Sequence, residues 1–332
     1  MGDVAMTVPV IRAFVNQNPN VKITVVSRPF FNSFFAEIDN VNFFAVDLKK
    51  RHNGFFGILR LFKDLKQLAP DAVADLHNVL RSVIIRNLFA LNGNKIAYTD
   101  KGRAEKKALT HAENKVFQPI KSMMERHVDT FKKLGFSVDL SHPKFPEKAF
   151  LSPSILKISE EKNNYKWIGI APFAQYESKV YPHDLMQIVI TSLTKNSDYK
   201  ILFFGGGNKE IEILNAFAKN KENAIVIAGK LSFQEELHLI SNLDIMLSMD
   251  SGNAHIAAIL GVNVITLWGA THPYAGFAPF HQPFENAFVS DRMLFPKLPT
   301  SVYGNKKVEG YQDAMRSISP ETIVEKITSS LK

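Results

Sequence analysis

The 332-residue chain contains no cysteine. It therefore cannot form disulfides or thiolate metal sites, and the absence fits a reducing compartment. No run of about 18 apolar residues is present, so we expect no transmembrane helix. The amino terminus lacks a basic region followed by an apolar core, so we expect no signal peptide. Together these absences favour a cytoplasmic globular protein.

Several motifs of catalysis and cofactor binding are also missing. There is no Asp-x-Asp and no His/Asp cluster at metal-ligand spacing, so we expect no metal and no metal-bridged diphosphate. Neither a Gly-x-Ser-x-Gly turn nor a Walker lysine motif occurs. Residues 205–210, Gly-Gly-Gly-Asn-Lys-Glu, form an incomplete dinucleotide fingerprint, because Glu210 stands where the third glycine belongs. A nicotinamide-dependent dehydrogenase is therefore disfavoured, but it stays open as an alternative.

The composition that remains is ordinary for a globular protein, with a basic excess. Hydrophobic residues make up 45% and charged residues 22% of the chain, which is long enough for two domains. The 40 lysines and arginines outnumber the 32 acidic residues, giving a net charge of +8. This charge suits an acidic partner such as phosphates, anionic lipid or nucleic acid, without choosing among them.

Short β-rich runs and helical patterns alternate along the whole chain, which predicts an α/β fold with parallel, doubly wound sheets. Residues 141–164 carry three prolines and a charged run, so we place a domain boundary near residue 155. The prediction is two Rossmann-like domains, residues 1–155 and 156–332, the second ending in a helix. Residues 1–14 open directly in a helical pattern, so we expect that the first strand of the first domain is missing.

The most informative stretch is 243–269, which reads as strand, sharp turn, helix and strand. Such a unit places its first turn at the carboxyl end of a parallel strand, where ligands bind in open α/β sheets. Asp250, Ser251, Gly252 and His255 share this edge, and the start of the helix offers N–H groups and a positive dipole end to an anion. The alternative is that Asp-Ser-Gly only caps the helix.

Two further strand-end loops of the second half look suited to a nucleotide sugar. One carries Ala174, Gln175 and Lys179, and its lysine could neutralise a diphosphate leaving group, or be an ordinary surface lysine. The other ends at Glu210, which could hold ribose hydroxyls or simply favour the first turn of a helix. In the first half, Asp3 begins the first helix and is either a helix cap or a general base for an acceptor hydroxyl.

Residues 100–107 form a basic segment without apolar periodicity, so we expect an exposed loop. Lys101, Arg103, Lys106 and Lys107 carry its charge. The segment is either a solvated loop or a docking patch for an acidic acceptor.

Five segments in this order resemble the heptosyltransferases of lipopolysaccharide core assembly, glycosyltransferase family 9. They are Met1–Thr7, Asp75–Ser82, Ala171–Lys179, Gly229–Ser232 and Met249–His255. The resemblance covers nearly the whole chain and rests on the combined order of segments. It implies a GT-B fold, with two Rossmann-like domains facing a cleft, and metal-independent, inverting transfer of a heptose from ADP-heptose to a lipopolysaccharide inner-core acceptor.

The resemblance also implies roles for individual residues. Asp3 matches the family's general base, and Lys179 the lysine that contacts the donor phosphate. Donor-binding positions are Ala174, Gln175, Glu210, Leu231, Asp250, Ser251, Gly252 and His255. Acceptor-binding positions, which would meet phosphorylated and carboxylated sugars, are Arg81, Lys101, Arg103 and Arg126.

The implied partners are a nucleotide sugar and a lipid-linked core saccharide, without nucleic acid, cofactor or metal. A peripheral position on the cytoplasmic face of the inner membrane is a further expectation. Two departures from the family are the absent first strand and the absence of cysteine near residues 299–306, where some related sequences carry it. Transfer of another nucleotide-activated sugar to an envelope glycan, or a catalytically silent nucleotide-binding protein, stays open as an alternative.

Overall fold

The computed structural model describes residues 1–332, and its internal contacts divide the chain into two compact units. The amino-terminal unit comprises Asp3–Arg103 and Lys121–Lys144 together with Met1. The carboxyl-terminal unit comprises Ala104–Ile120 and Phe145–Lys332 together with Gly2. No helix in the chain has the length and apolar character needed to cross a membrane.

The amino-terminal unit contains two separate pairs of parallel strands rather than one sheet. Its strands are β1 (Ile23–Ser27), β2 (Val41–Ala45), β3 (Ala72–Asp75) and β4 (Lys95–Tyr98), paired as β1–β2 and β3–β4. The helices of this part of the chain are α1 (Gly2–Ala5), α2 (Val8–Gln17), α3 (Gly54–Lys66), α4 (Leu80–Leu91), α5 (Arg103–Leu109) and α6 (Met123–Lys133).

Helical spacing explains how α3 packs in this unit. Gly57, Leu61 and Leu65 recur every fourth residue and are the buried positions of α3. Leu61 and Leu65 join a small apolar core with Ile85 and Phe89 of α4. Ile58 and Phe62 are half-buried against the same core, and the last turn carries the exposed Lys63 and Lys66.

The carboxyl-terminal unit is built on one six-stranded parallel sheet, in the order β10-β9-β8-β5-β6-β7. Its strands are β5 (Lys166–Ala171), β6 (Tyr199–Phe203), β7 (Ala224–Val226), β8 (Ile245–Met249), β9 (Asn263–Trp268) and β10 (Ala287–Val289). Its helices are α7 (Pro153–Ser159), α8 (His183–Leu193), α9 (Asn208–Ala218), α10 (Phe233–Ser241), α11 (Gly252–Ile259) and α12 (Pro320–Ser330).

The central strands of this sheet are continuous apolar runs because both faces are covered. Every residue of β8 is buried, as are five of the six residues of β5 and of β9. The predicted strand, turn, helix and strand between residues 243 and 269 are confirmed, and β8 and β9 pair in parallel. The predicted carboxyl-terminal helix is confirmed as α12, whose N-cap Ser319 accepts a hydrogen bond from Glu321 N.

One predicted loop is wrong. The basic segment at residues 100–107 leads into α5, which begins at Arg103 and groups from Ala104 onward with the carboxyl-terminal unit. Lys106 is only 4% exposed, and its ammonium lies 4.2 Å from the ring centroid of Phe277. The lysine therefore packs as an amphipathic side chain against an aromatic ring, which hydrophobic periodicity does not reveal.

Ile155, at the predicted domain boundary, lies inside α7 and is fully buried.

Candidate functional site

The loops at the carboxyl edge of the six-stranded sheet gather most of the predicted site residues. Because β5, β6, β8 and β9 are parallel neighbours, the loops that follow them emerge on the same side. These loops carry Ala174 to Lys179 after β5, Gly205 to Gly207 after β6, Asp250 and Ser251 after β8, and Gly269 to His272 after β9. The sheet therefore brings together segments that are up to a hundred residues apart in sequence.

At the centre of this edge Lys179 forms an ion pair with Asp250. The Lys179 ammonium lies 3.0 Å from Asp250 Oδ2, and the two side chains are 12% and 9% exposed. Thr271 Oγ1 donates a hydrogen bond of 2.8 Å to the same carboxylate oxygen. A buried charge is stable only when it is paired and hydrogen-bonded, and this pair meets that condition. Lys179 is thus not the surface lysine that was the alternative interpretation.

Three loops fix the position of Lys179. Its neighbour Ser178 accepts a hydrogen bond of 3.0 Å from Ala270 N at its carbonyl, and its hydroxyl donates one of 2.6 Å to Gly304 O. A Cβ on Gly304 would lie 2.5 Å from Lys179 Cδ, and Gly304 has φ of +84°. A Cβ on Gly269 would collide with Ser178 O. Glycine is therefore required at both positions for these loops to enclose the lysine.

The start of α11 lies directly after Asp250. Ser251 is the N-cap residue, but its side chain makes no capping hydrogen bond, and its hydroxyl lies 3.1 Å from Ser248 Oγ. The helix therefore begins at Gly252 without a side-chain cap on its first N–H groups, which leaves the capping interpretation unsupported. His255 lies in the first turn of α11 and is buried.

The remaining predicted donor residues lie on neighbouring loops. Glu210 Oε2 accepts a hydrogen bond of 2.7 Å from Gly206 N. The carboxylate therefore holds the glycine-rich turn that leads into α9. Ala174 is half-buried against the main core, and Gln175 is exposed. Leu231 is half-buried between β7 and α10, two residues after Gly229, which has φ of +76°.

In the amino-terminal unit Asp3 is exposed and is the second residue of α1, so it is not the N-cap residue. Burial lowers the pKa of His77, and the charge of Lys101 lowers it further, while Asp3 and Asp75 oppose the shift. Asp3, His77 and Lys101 therefore belong to one electrostatic neighbourhood. His77, two residues after the end of β3, is not among the candidate residues that the sequence pattern singles out.

The predicted acceptor arginines have different surroundings. Arg81 is half-buried, and its Nε is a buried donor without a hydrogen-bond partner in the structure. Arg126 is buried, with its Nη1 3.3 Å from Asp100 Oδ2 and its Nε donating to Lys121 O. Arg103 is exposed at the start of α5. Nowhere in residues 1–332 do three or more His, Cys, Asp or Glu side chains form a group able to hold a metal ion.

The segment Ala104–Ile120 and the loops after β9 pack around aromatic rings within the carboxyl-terminal unit. The Arg292 guanidinium lies 3.4 Å from the ring centroid of Phe117. Burial, followed by the charge of Arg292, lowers the pKa of His272 to about 4. His272 is therefore neutral at pH 7, and its Nδ1 accepts a hydrogen bond from Tyr274 N.

Comparison with known proteins adds the family. Residues 58–289 match the model of glycosyltransferase family 9 (heptosyltransferase). Lipooligosaccharide heptosyltransferase 2 of Haemophilus influenzae is 26% identical and covers 100% of this chain and 96% of its own length. Lipopolysaccharide heptosyltransferase 1 of Campylobacter coli is also 26% identical, over 65% of this chain and 66% of its own.

A solved structure shows the fold. The E. coli heptosyltransferase WaaC with ADP-2-deoxy-2-fluoro heptose superposes with a TM-score of 0.66 at 18% identity, covering 99% of this chain and 96% of that one. The predicted GT-B fold, with two Rossmann-like α/β units, is thereby confirmed. The chain belongs to glycosyltransferase family 9, the heptosyltransferase family, and is a glycosyltransferase.

Proposed function

We propose that this enzyme transfers a heptose from ADP-heptose to a lipopolysaccharide inner-core acceptor, with inversion at the anomeric carbon and without a metal ion. The family and the names of its relatives support the reaction class. The bound ADP-2-deoxy-2-fluoro heptose of the WaaC structure supports the donor. Within this chain, the buried Lys179–Asp250 pair next to the uncapped start of α11 carries the proposal.

The donor diphosphate would bind at the start of α11, between the first backbone N–H groups of the helix, from Gly252 onward, and the Lys179 ammonium. The helix dipole and the lysine both favour the negative charge that grows on the departing ADP. Asp250 holds Lys179 in place before the donor arrives, and Ser251 and His255 are hydrogen-bonding groups near the same helix end. Ala174, Gln175, Glu210 and Leu231 would line the ribose and adenine.

Asp3 would act as the general base. It accepts the proton of the acceptor hydroxyl while the acceptor oxygen forms a bond to the anomeric carbon. On the opposite face the bond from that carbon to the phosphate oxygen breaks, and its electron pair leaves with ADP. The lowered pKa of His77 keeps this neighbouring imidazole neutral at pH 7, so it adds no positive charge beside Asp3.

The acceptor would meet the cationic side chains of the amino-terminal unit. Lys101 and Arg103 follow β4, and Arg81 presents a buried Nε that lacks a hydrogen-bond partner. An anionic group on the acceptor would satisfy that donor. Arg126 is already paired with Asp100, so its contribution would be to position that loop. The proposal places the reaction in the cytoplasm on a lipid-linked acceptor.

The test is a transfer assay with the purified full chain, ADP-heptose and a truncated core acceptor in the presence of EDTA. We expect a heptosylated product by mass spectrometry, with an anomeric configuration opposite to that of the donor by NMR. Transfer only from another nucleotide sugar would overturn the donor assignment. Tight ADP binding without turnover for any donor would favour a silent binding protein, and loss of activity in EDTA would overturn metal independence.

A further inference from the structure

The surface formed by residues 47–66 of the amino-terminal unit is both apolar and strongly basic. We propose that this surface, called here the Phe–Lys face, docks the enzyme onto an anionic membrane. Its apolar members are Phe55, Phe56 and Leu59 of α3. Its basic members are Lys49, Lys50, Arg51, Arg60, Lys63 and Lys66. None of these residues is a predicted sugar-binding residue, and docking through them does not depend on the donor.

Two aromatic rings are displayed to solvent at the start of α3. Phe55 is 63% exposed and Phe56 is 73% exposed, and their ring centroids are 5.9 Å apart. They do not belong to the core, because the buried residues of α3 are Gly57, Leu61 and Leu65. Exposed aromatic pairs on a helix end are costly in water and typical of interfacial segments.

The turn before α3 is held tightly against the helix. Arg51 makes two hydrogen bonds to Asp64, of 2.8 and 2.7 Å, and the ring of buried His52 lies 3.0 Å from the same carboxylate. A Cβ on Gly57 would collide with the backbone of His52, so the turn and helix are in direct contact. Arg60 Nε donates to Arg51 O at 2.8 Å. Arg51 and Arg60 are therefore fixed where the turn meets α3, and Arg60, four residues after Phe56, lies on the same helical face as that ring.

The charge of the Phe–Lys face selects an anionic partner. Residues 47–66 contain six lysines and arginines but only two acidic residues, giving +4, half of the chain's net charge of +8. Both carboxylates are occupied: Asp64 by Arg51 and His52, and Asp47 by the N–H groups of Lys49 and Lys50. Lys49, Lys50 and Lys63 are exposed, and Lys63, seven residues after Phe56, lies on the same helical face as that ring.

This combination fits the headgroup region of a membrane. Basic side chains attract anionic lipid, and aromatic rings enter the boundary between headgroups and acyl chains. Two exposed rings at the start of a helix can enter a deformable lipid surface. No helix of the chain spans a membrane, so such docking would be peripheral.

The first test is flotation of the full chain with vesicles of phosphatidylglycerol and phosphatidylethanolamine, compared with phosphatidylcholine alone. We expect binding only to the anionic vesicles. The double variant Lys49→Gln/Lys50→Gln should bind about 10- to 30-fold more weakly, since each basic residue contributes about a factor of five. The variant Phe55→Ser/Phe56→Ser should lose about tenfold or more.

Matched controls distinguish binding through the Phe–Lys face from nonspecific electrostatic or hydrophobic binding. Lys132→Gln/Lys195→Gln removes the same charge from exposed lysines elsewhere, and Leu91→Ser removes an apolar side chain that is 87% exposed at the end of α4. Both should bind like the unmodified protein. If either Phe–Lys variant binds like its control, or if binding to phosphatidylcholine is equal, the proposal is overturned. If the unmodified protein does not bind anionic vesicles, the proposal is also overturned. The basic face would then be expected to bind an acidic protein instead.

A spectroscopic variant gives an independent readout. Both native tryptophans, Trp167 and Trp268, are buried, so Phe56→Trp adds a single exposed indole. We expect its emission to shift to shorter wavelength on adding anionic vesicles and to be quenched by brominated acyl chains. An unchanged spectrum in a folded variant that floats with vesicles would contradict insertion at this position. Neither experiment uses donor or acceptor, so failure here is distinct from failure of the transfer assay.

Discussion

The two units of this enzyme use parallel strands and helices in very different ways. In the carboxyl-terminal unit β8 is buried along its whole length, between β9 and β5 in a continuous sheet. In the amino-terminal unit β1 and β2 form an isolated pair, and half-buried and exposed residues alternate along β1. A strand with neighbours on both sides fixes the loop at its end more firmly than a strand in a pair.

This difference assigns different tasks to the units. The carboxyl-terminal sheet holds Lys179, Asp250 and Thr271 in one hydrogen-bonded arrangement before any ligand binds. The amino-terminal unit offers an exposed Asp3, together with the half-buried Lys101 and Arg81. We infer that the donor meets a preformed site, whereas the acceptor meets groups held by shorter strands. Substitutions in the two units should therefore change different steps.

The largest expected effect is from Asp3→Asn. Loss of a general base lowers turnover by about 10²- to 10⁴-fold, and because Asp3 lies in the amino-terminal unit, the affinity for ADP should not change. Steady-state transfer rates and calorimetric titration with ADP measure the two quantities separately. Asp39→Asn is the matched control, since Asp39 is an exposed carboxylate of the same unit. Near-normal turnover in a folded Asp3→Asn variant would show that Asp3 is not the general base.

The next effect is a pH dependence located in the carboxyl-terminal unit. Burial and Arg292 lower the pKa of His272 from 6.5 to about 4. Between these two pH values the imidazole is protonated in the unfolded chain but neutral in the folded chain. The contribution of His272 to the free energy of unfolding is fully present above pH 6.5. It is lost as the pH falls toward 4, and the loss reaches about 3 kcal/mol. His272→Asn keeps a side chain able to cap the following turn.

The measurement is urea unfolding of both proteins between pH 7 and pH 4. The half-buried Glu236, whose pKa desolvation raises to about 7, changes stability in the opposite direction over part of this range. The difference between unmodified protein and His272→Asn cancels that contribution. The unmodified protein should lose more free energy of unfolding than the variant on acidification. Parallel curves would show that His272 does not titrate in this way.

The smallest effect tests how closely the loops around Lys179 pack. Gly269→Ala places a methyl group against Ser178 O, so either this loop shifts or stability falls, by about 1–3 kcal/mol. Gly206→Ala is the control, because no atom lies within 4 Å of its added Cβ and its φ is not left-handed. Thermal unfolding should separate the two variants by several degrees. Equal melting temperatures would mean that the loops around Lys179 are looser than the structure indicates.

The sequence predicted well those parts whose signal is local. The run 243–269 combines an apolar strand, turn residues and helix formers, and it folds as β8, α11 and β9 in the predicted order. Continuous burial gives such strands an uninterrupted apolar composition, which is readable in a single sequence.

Features that depend on distant contacts were not predicted. The contact of Lys179 with Asp250 spans 71 positions and exists only because β5 and β8 are neighbours. Thr271 and His77 were overlooked, although each follows a strand at the carboxyl edge of its sheet, a signal that would have found them. The short β10 was also missed, because three residues carry no periodicity. The roles given to the site residues stay predictions.

The central claim is that Lys179 binds the donor diphosphate, and calorimetric titration of ADP in EDTA tests it most directly. Lys179→Gln should weaken ADP binding about 10- to 100-fold, the value of a charge-assisted hydrogen bond of about 1.5–3 kcal/mol. Lys179→Gln/Asp250→Asn avoids leaving a buried carboxylate unpaired and should show the same loss, whereas the exposed control Lys195→Gln should bind ADP normally. Unchanged ADP affinity in both folded Lys179 variants would contradict the account.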